Sequence, residues 1–171
     1  MVYLVRHAAA GERKAWHGDD QRRPLSARGR RQAAALPARL NLGAGTGRHR
    51  LRIASSVALR CVETVTPLAE ALGAELAVDD RLLEGSTASV ALACLEQLED
   101  GGIAVACSHG DVIEAVIEML HIEPPNFRAR CQKSGTWVLE RVGRHLVPMR
   151  YIPPPSTDES AAETLGPEET R

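Results

Sequence analysis

The sequence predicts an α/β protein of three layers, α/β/α, with a mostly parallel sheet, helices on both faces and a C-terminal hairpin or antiparallel edge strand. Three observations carry this reading. Short, mostly apolar runs at Val2–Val5, Leu51–Ala54, Glu75–Val78 and Ile103–Cys107 have the character of strands covered on both faces. Helical patterns separate them, and strands alternating with helices imply parallel pairing through crossovers. A chain of 171 residues, 44% hydrophobic and 25% charged, is long enough for one core and leaves little room for a second.

Each element follows from local pattern. Ser26 is placed to cap a helix running to about Leu40. The next helix carries Ala58, Cys61, Val62, Val65, Leu68, Ala69 and Leu72 at helical spacing and stops at Gly73, with Pro67 expected to kink it. A third puts Val90, Cys94, Leu95 and Leu98 on one face, and a fourth puts Val112, Ile113, Val116, Ile117 and Leu120 on one face. Thr136–Arg141 and His145–Arg150, around Gly143, read as a closing hairpin. A single domain over residues 1–152 is expected. Residues 153–171 are rich in Pro, Ser, Thr and Glu and read as a disordered acidic tail.

Composition removes several function classes. No apolar run approaches the roughly 18–20 residues of a membrane span, and the N-terminus has neither a basic n-region nor a long apolar h-region. A cytoplasmic protein without membrane partners is expected. Cys61, Cys94, Cys107 and Cys131 lie far apart with no Cys-x-x-Cys pair, so reduced structural thiols are expected. Residues 1–60 hold 13 Lys and Arg against Glu12, Asp19 and Asp20, which suits an anionic partner or a solvated basic face. Nucleic acid is not expected: the five aromatic residues do not interleave with the basic ones.

The chemistry lies at strand ends. Val2–Val5 leads into Arg6-His7, and Ile103–Cys107 leads into Ser108-His109-Gly110-Asp111 and straight into a helix. Ile53-Ala54-Ser55-Ser56 leads to Arg60, about one turn into the next helix. In a parallel sheet both histidines share one edge, and ligands bind beyond the C-terminal strand ends. Arg supplies a charged planar fork for phosphate oxygens, and the helix start at Gly110 adds backbone N–H groups and positive dipole. A neutral imidazole with one nitrogen held as a donor can attack through the other. Taken singly such residues are more often structural; the combination points to phosphoryl chemistry.

Leu4-Val5-Arg6-His7, Ser55-Ser56-x-x-x-Arg60-x-x-x-Thr64, Leu83-Glu84-Gly85 and Ser108-His109-Gly110-Asp111 resemble, in order, the motifs of the histidine phosphatase (phosphoglycerate mutase-like) superfamily. With Arg23-Pro24-Leu25-Ser26-x-x-Gly29, the chain looks most like the small SixA-type phosphohistidine phosphatases, and it is also similar to the histidine phosphatase domain carried by some actinobacterial Nudix proteins. The resemblance implies His7 as the phosphorylated nucleophile, Arg6, Arg60 and His109 on the phosphoryl oxygens, Glu84 as the acid for the leaving group, and no metal or other cofactor. Two departures are Ala8 after Arg6-His7 and Val57 after the Ser pair; neither removes a charged participant.

The substrate is less legible. Glu84 and His109 lie 25 positions apart, enough for one helix and one strand and no inserted cap, so an open site is expected. That suits a phosphorylated protein, with a nucleotide or other small phosphate compound as the alternative. In the basic loop after Ala8, Arg13 or Arg23 is a candidate for a second phosphate, and Trp16 either stacks on a base or packs the loop onto the body. Asp19-Asp20 lacks the third ligand of a metal site. An alternative of another class is a catalytically silent phosphate-binding regulatory module, which would be expected to have lost one of Arg6, His7, Arg60 or His109. All four are present.

Overall fold

The computed structural model describes residues 1–42, 50–120 and 130–155; the acidic segment from 156 onward lies outside the described residues. Strands β1 (Val2–Arg6), β2 (Leu51–Ser55), β3 (Leu76–Val78), β4 (Ile103–Ser108), β5 (Thr136–Val142) and β6 (His145–Ile152) form one sheet in the order β3-β2-β4-β1-β5-β6. The first four pair in parallel, whereas β5 runs antiparallel to β1 and hairpins into β6 through Gly143, whose φ of +62° suits glycine. The predicted fold class and its C-terminal hairpin are those observed.

Alternation along the strands builds the layers. Val2, Leu4, Ala104 and Ala106 face one core with α4 (Ala88–Glu99) and α5 (Gly110–Leu120). Their neighbours Tyr3, Val5, Val105 and Cys107 face the other, with α2 (Leu36–Leu40) and α3 (Leu59–Leu72). The helices leaving β1 and β4 therefore go to opposite faces, which opens a crevice at the C-terminal ends of these adjacent strands.

The structure corrects three local expectations. The helix capped by Ser26 does not run through to Leu40: α1 ends at Ala34 and α2 restarts at Leu36, with Pro37 in its first turn. A proline there cannot donate to the preceding turn and clashes with its carbonyl. Helix α3 holds Pro67 in its interior and ends, as expected, at Gly73, whose φ is +59°. Val90 faces solvent, because α4 buries Ala91, Cys94, Leu95 and Glu99, a stripe one residue on. Strand β3 is covered only where Leu76 packs against the core; as an edge strand it leaves Ala77 and Val78 exposed. All four cysteines are buried free thiols.

Candidate active site

Strands β1 and β4 end level, Arg6 opposite Ser108, and the backbone N–H of His7 donates to Ser108 O at 3.0 Å. The next residue after each strand is a histidine, and the rings of His7 and His109 meet edge to face with centroids 5.4 Å apart. The parallel pairing thus turns two distant motifs into neighbours.

His7 is 7% exposed, and its Nδ1 donates to the carbonyl of Ala8 at 2.8 Å, which leaves the lone pair on Nε2. Burial pushes its pKa down to about 3; the Ala8 bond opposes this, and the charges of His109, Arg60 and Arg6 add to it. The imidazole is therefore neutral across the physiological range.

The loop carrying it is clamped. Ala8 N donates to Thr64 Oγ1 and Ala9 N to Gln32 Oε1, each at 2.9 Å, while Ala9 O accepts from both the backbone and the hydroxyl of Ser26. Ser134 N reaches the carbonyls of Arg6 and His7. Gly29 lets the first turn of α1 press this close, since a Cβ there would lie 1.9 Å from Ala9 O.

Arg60, 2% exposed, is aimed from the first turn of α3. Its Nη1 donates to Asp20 O at 2.8 Å, and its Nη2 donates to Glu84 Oε2 at 2.8 Å and faces His109 Nδ1 at 3.4 Å. His109 Nε2 lies 3.0 Å from Ser56 Oγ. Arg6 Nη1 donates to Cys131 O at 2.5 Å, and its guanidinium lies over the start of α5, where a Cβ on Gly110 would come within 2.6 Å of Arg6 Cζ. The Nε–H groups of Arg6 and Arg60 are buried and have no partner among the described residues. Two guanidiniums, two imidazoles and a helix start thus converge in a small polar site suited to a tetrahedral oxyanion.

The flanking residues divide. Arg13 is exposed and donates to Asp20 and Glu84 at 2.8 and 3.0 Å. Arg23 is buried with its guanidinium committed to Asp20 and to Gly11 O, so it stiffens the loop rather than offering a free fork. Trp16 is 36% exposed, its Nε1 donating to Asp19 O, so the packing expected of it is slight. Sequence reasoning missed Asp20, whose carboxylate lies among Arg13, Arg23 and Arg60 and is held well below its usual pKa, first by the bonds from Arg23 and Arg13. The three-residue spacing of Asp20 and Arg23 was the available signal. Among the described residues no three His, Cys, Asp or Glu side chains are grouped as metal ligands, and no helix is long and apolar enough to cross a membrane.

Fold and site define a phosphoglycerate mutase-like domain built to handle a phosphoryl group. Comparison with known proteins makes this specific: the sequence profile of the histidine phosphatase superfamily, branch 1, matches residues 2–90, and the chain belongs to that family of phosphatases. It is 35% identical over 163 residues to an 8-oxo-(d)GTP phosphatase of Mycolicibacterium smegmatis, covering 90% of this chain and 48% of the relative. The chain thus spans about half the length of that curated relative. A crystal structure assigned as the phosphohistidine phosphatase SixA of Agrobacterium tumefaciens superposes with a TM-score of 0.67 at 26% identity, over 90% of this chain and 97% of that one. The protein histidine phosphatase SixA complexed with tungstate superposes with a TM-score of 0.70 at 19% identity, over 90% and 96%, and shares the fold.

Proposed function

We propose that this chain is a metal-independent phosphatase that works through a phosphohistidine on His7, with a phosphohistidine-bearing protein as its substrate. The observation that carries the reading is the neutral, buried His7, with Nδ1 fixed on Ala8 O and Nε2 free, beside Arg6, Arg60 and His109. Nε2 attacks phosphorus as the bond to the leaving atom breaks. Arg6, Arg60, His109 and the N–H groups at Gly110 hold the phosphoryl oxygens through the transition state. Glu84, which takes up a proton from solvent once the substrate displaces it from Arg60, gives that proton to the leaving atom. Water then attacks phosphorus and passes a proton to the Glu84 carboxylate as the P–N bond breaks, and inorganic phosphate leaves with His7 restored.

The protein substrate is supported by the SixA likeness and by openness: only α4 and β4 lie between Glu84 and His109. A second reading, a nucleotide or other small phosphate compound, is favoured by the relative named for 8-oxo-(d)GTP. A cytoplasmic location, with neither nucleic acid nor membrane as partner, accords with both. The test is the ratio of kcat/KM on a phosphohistidine protein to that on nucleoside di- and triphosphates, with chelator present. A ratio well above one supports the protein substrate; the reverse favours the small-molecule reading.

A further inference from the structure

We propose that the cleft beside the His7 loop is a second anion site, which takes a carboxylate or phosphate carried on the leaving-group side of the substrate. The proposal rests on the phospho-His7 reading for the reacting end and on different residues for the rest. The cleft has a volume of about 560 Å³, and Ala9, Gly11, Ser26, Arg28, Gln32 and Lys133 are among its lining residues. That lies within the range of about 300–1,000 Å³ usual for small-ligand sites.

Its position ties it to the reaction. One wall begins at Ala9, two residues past His7, so these Cα atoms are at most about 7.6 Å apart. Lys133, on another wall, precedes Ser134, whose N–H donates to the carbonyls of Arg6 and His7 at 3.1 and 3.2 Å. A group seated in the cleft therefore lies against the backbone segment that carries the nucleophile.

Three features select an anion. Gln32 is 4% exposed; its Oε1 is tied to Ala9 N, and its Nε2 makes no hydrogen bond among the described residues, so this largely buried side chain leaves an unpaired amide donor at the cleft wall. Ser26 and Arg28 place the N-terminal turn of the eight-residue helix α1 at the cleft, where N–H groups and dipole favour negative charge. Arg28 and Lys133 are exposed cations without an ion-pair partner among the described residues, against the single acid Glu12. The helix dipole disfavours Arg28 where it stands, so α1 alone does not account for it. An anion bound between Arg28, Lys133 and Gln32 does.

The test compares wild type with the double variant Arg28→Glu, Lys133→Glu. Both positions are exposed, and an acid in the first turn suits α1, so the fold should persist. Three substrates are used with chelator: 4-nitrophenyl phosphate, 4-carboxyphenyl phosphate and pyrophosphate. The proposal predicts that KM rises about tenfold for the carboxylate substrate, for pyrophosphate, or for both, which assigns the anion, while kcat and the 4-nitrophenyl phosphate constants stay within about twofold. Unchanged KM on all three, or an equal rise on all three, overturns it. A separate NMR titration with 4-hydroxybenzoate and inorganic phosphate reads the cleft without turnover. Shifts at the Ala9, Gly11 and Gln32 amides in wild type, lost in the variant, are expected; identical spectra in both overturn the site. The 4-nitrophenyl phosphate arm with His7→Ala tests the phospho-His7 reading on its own.

Discussion

Arg60 and Glu84, 24 positions apart, meet through a 2.8 Å bond from Nη2 to Oε2, and the same carboxylate oxygen takes a second bond from Arg13 at 3.0 Å. The acid proposed for the leaving group is thus held by the guanidinium proposed for the phosphoryl group. A phosphoryl oxygen that binds Arg60 Nη2 competes with Glu84 for it, and displacement frees the carboxylate to take up the proton that the departing atom needs. Substrate binding and acid delivery become one exchange of partners on Arg60.

Glu84→Gln keeps the shape and removes the proton. On alkyl phosphates, whose leaving groups need protonation, kcat is expected to fall by about 10²–10⁴. On 4-nitrophenyl phosphate the loss should stay under about tenfold. A leaving-group series in wild type and variant checks this through the steeper dependence on leaving-group pKa expected of the variant.

Gly110→Ala tests the seat of Arg6. The added Cβ meets the guanidinium at 2.6–2.9 Å, so Arg6 must shift, which disturbs its bond to Cys131 O. A displacement of about 1 Å at a transition-state ligand costs on the order of 10²-fold in kcat. Thermal unfolding run in parallel separates this from a general loss of fold.

Asp20→Asn loosens three arginines at once. Its carboxylate bridges Arg13, Arg23 and Arg60; the amide keeps one acceptor oxygen but loses the charge and the second acceptor, while the backbone bonds to Asp20 O from Arg60 and Arg23 N survive. kcat is expected to fall by about tenfold, with KM for 4-nitrophenyl phosphate changing less. A drop in kcat restored by Asp20→Glu would support positioning; equal failure of both variants at normal stability would count against it.

His7 makes stability depend on pH. An unfolded chain protonates this imidazole near 6.5, whereas the folded protein holds it neutral down to about 3. Between those values the unfolded state binds more protons, so stability is fully present above pH 6.5 and is lost as pH falls toward 3. The neutral His7→Gln variant should lose less stability on acidification than wild type. Urea unfolding at about pH 7.5 and pH 5 reads the difference.

The core of the site was legible because it depends on strand ends. Apolar strands running into Arg6-His7 and Ser108-His109 need only parallel pairing to bring the rings together, and the sheet supplies it. Arg60 was legible from its distance past Ser55-Ser56, which sets one helical turn. The loop between Ala8 and Pro24 was not. Arg13 is positioned in part by Glu84, 71 positions away, and Arg23 by Gly11 O across the loop, pairs that no periodicity encodes; the spacing of Asp20 and Arg23 was the one local signal. Asp19-Asp20 drew attention as a possible metal pair, when Asp20 is the counter-ion of three guanidiniums. The same limit appears in the helices. The pattern from Ser26 to Leu40 reads as one helix, yet Pro37 divides it, and Val90 fits the α4 stripe in sequence while the packing turns it to solvent.

The central claim is that His7 is the nucleophile. Hydrolysis of 4-nitrophenyl phosphate in the presence of chelator, by wild type and by His7→Ala, tests it most directly, because a good leaving group shows turnover even if Glu84 is idle. The account predicts steady turnover by wild type, with a rate in the variant no higher than buffer. Equal rates in the two proteins would contradict it.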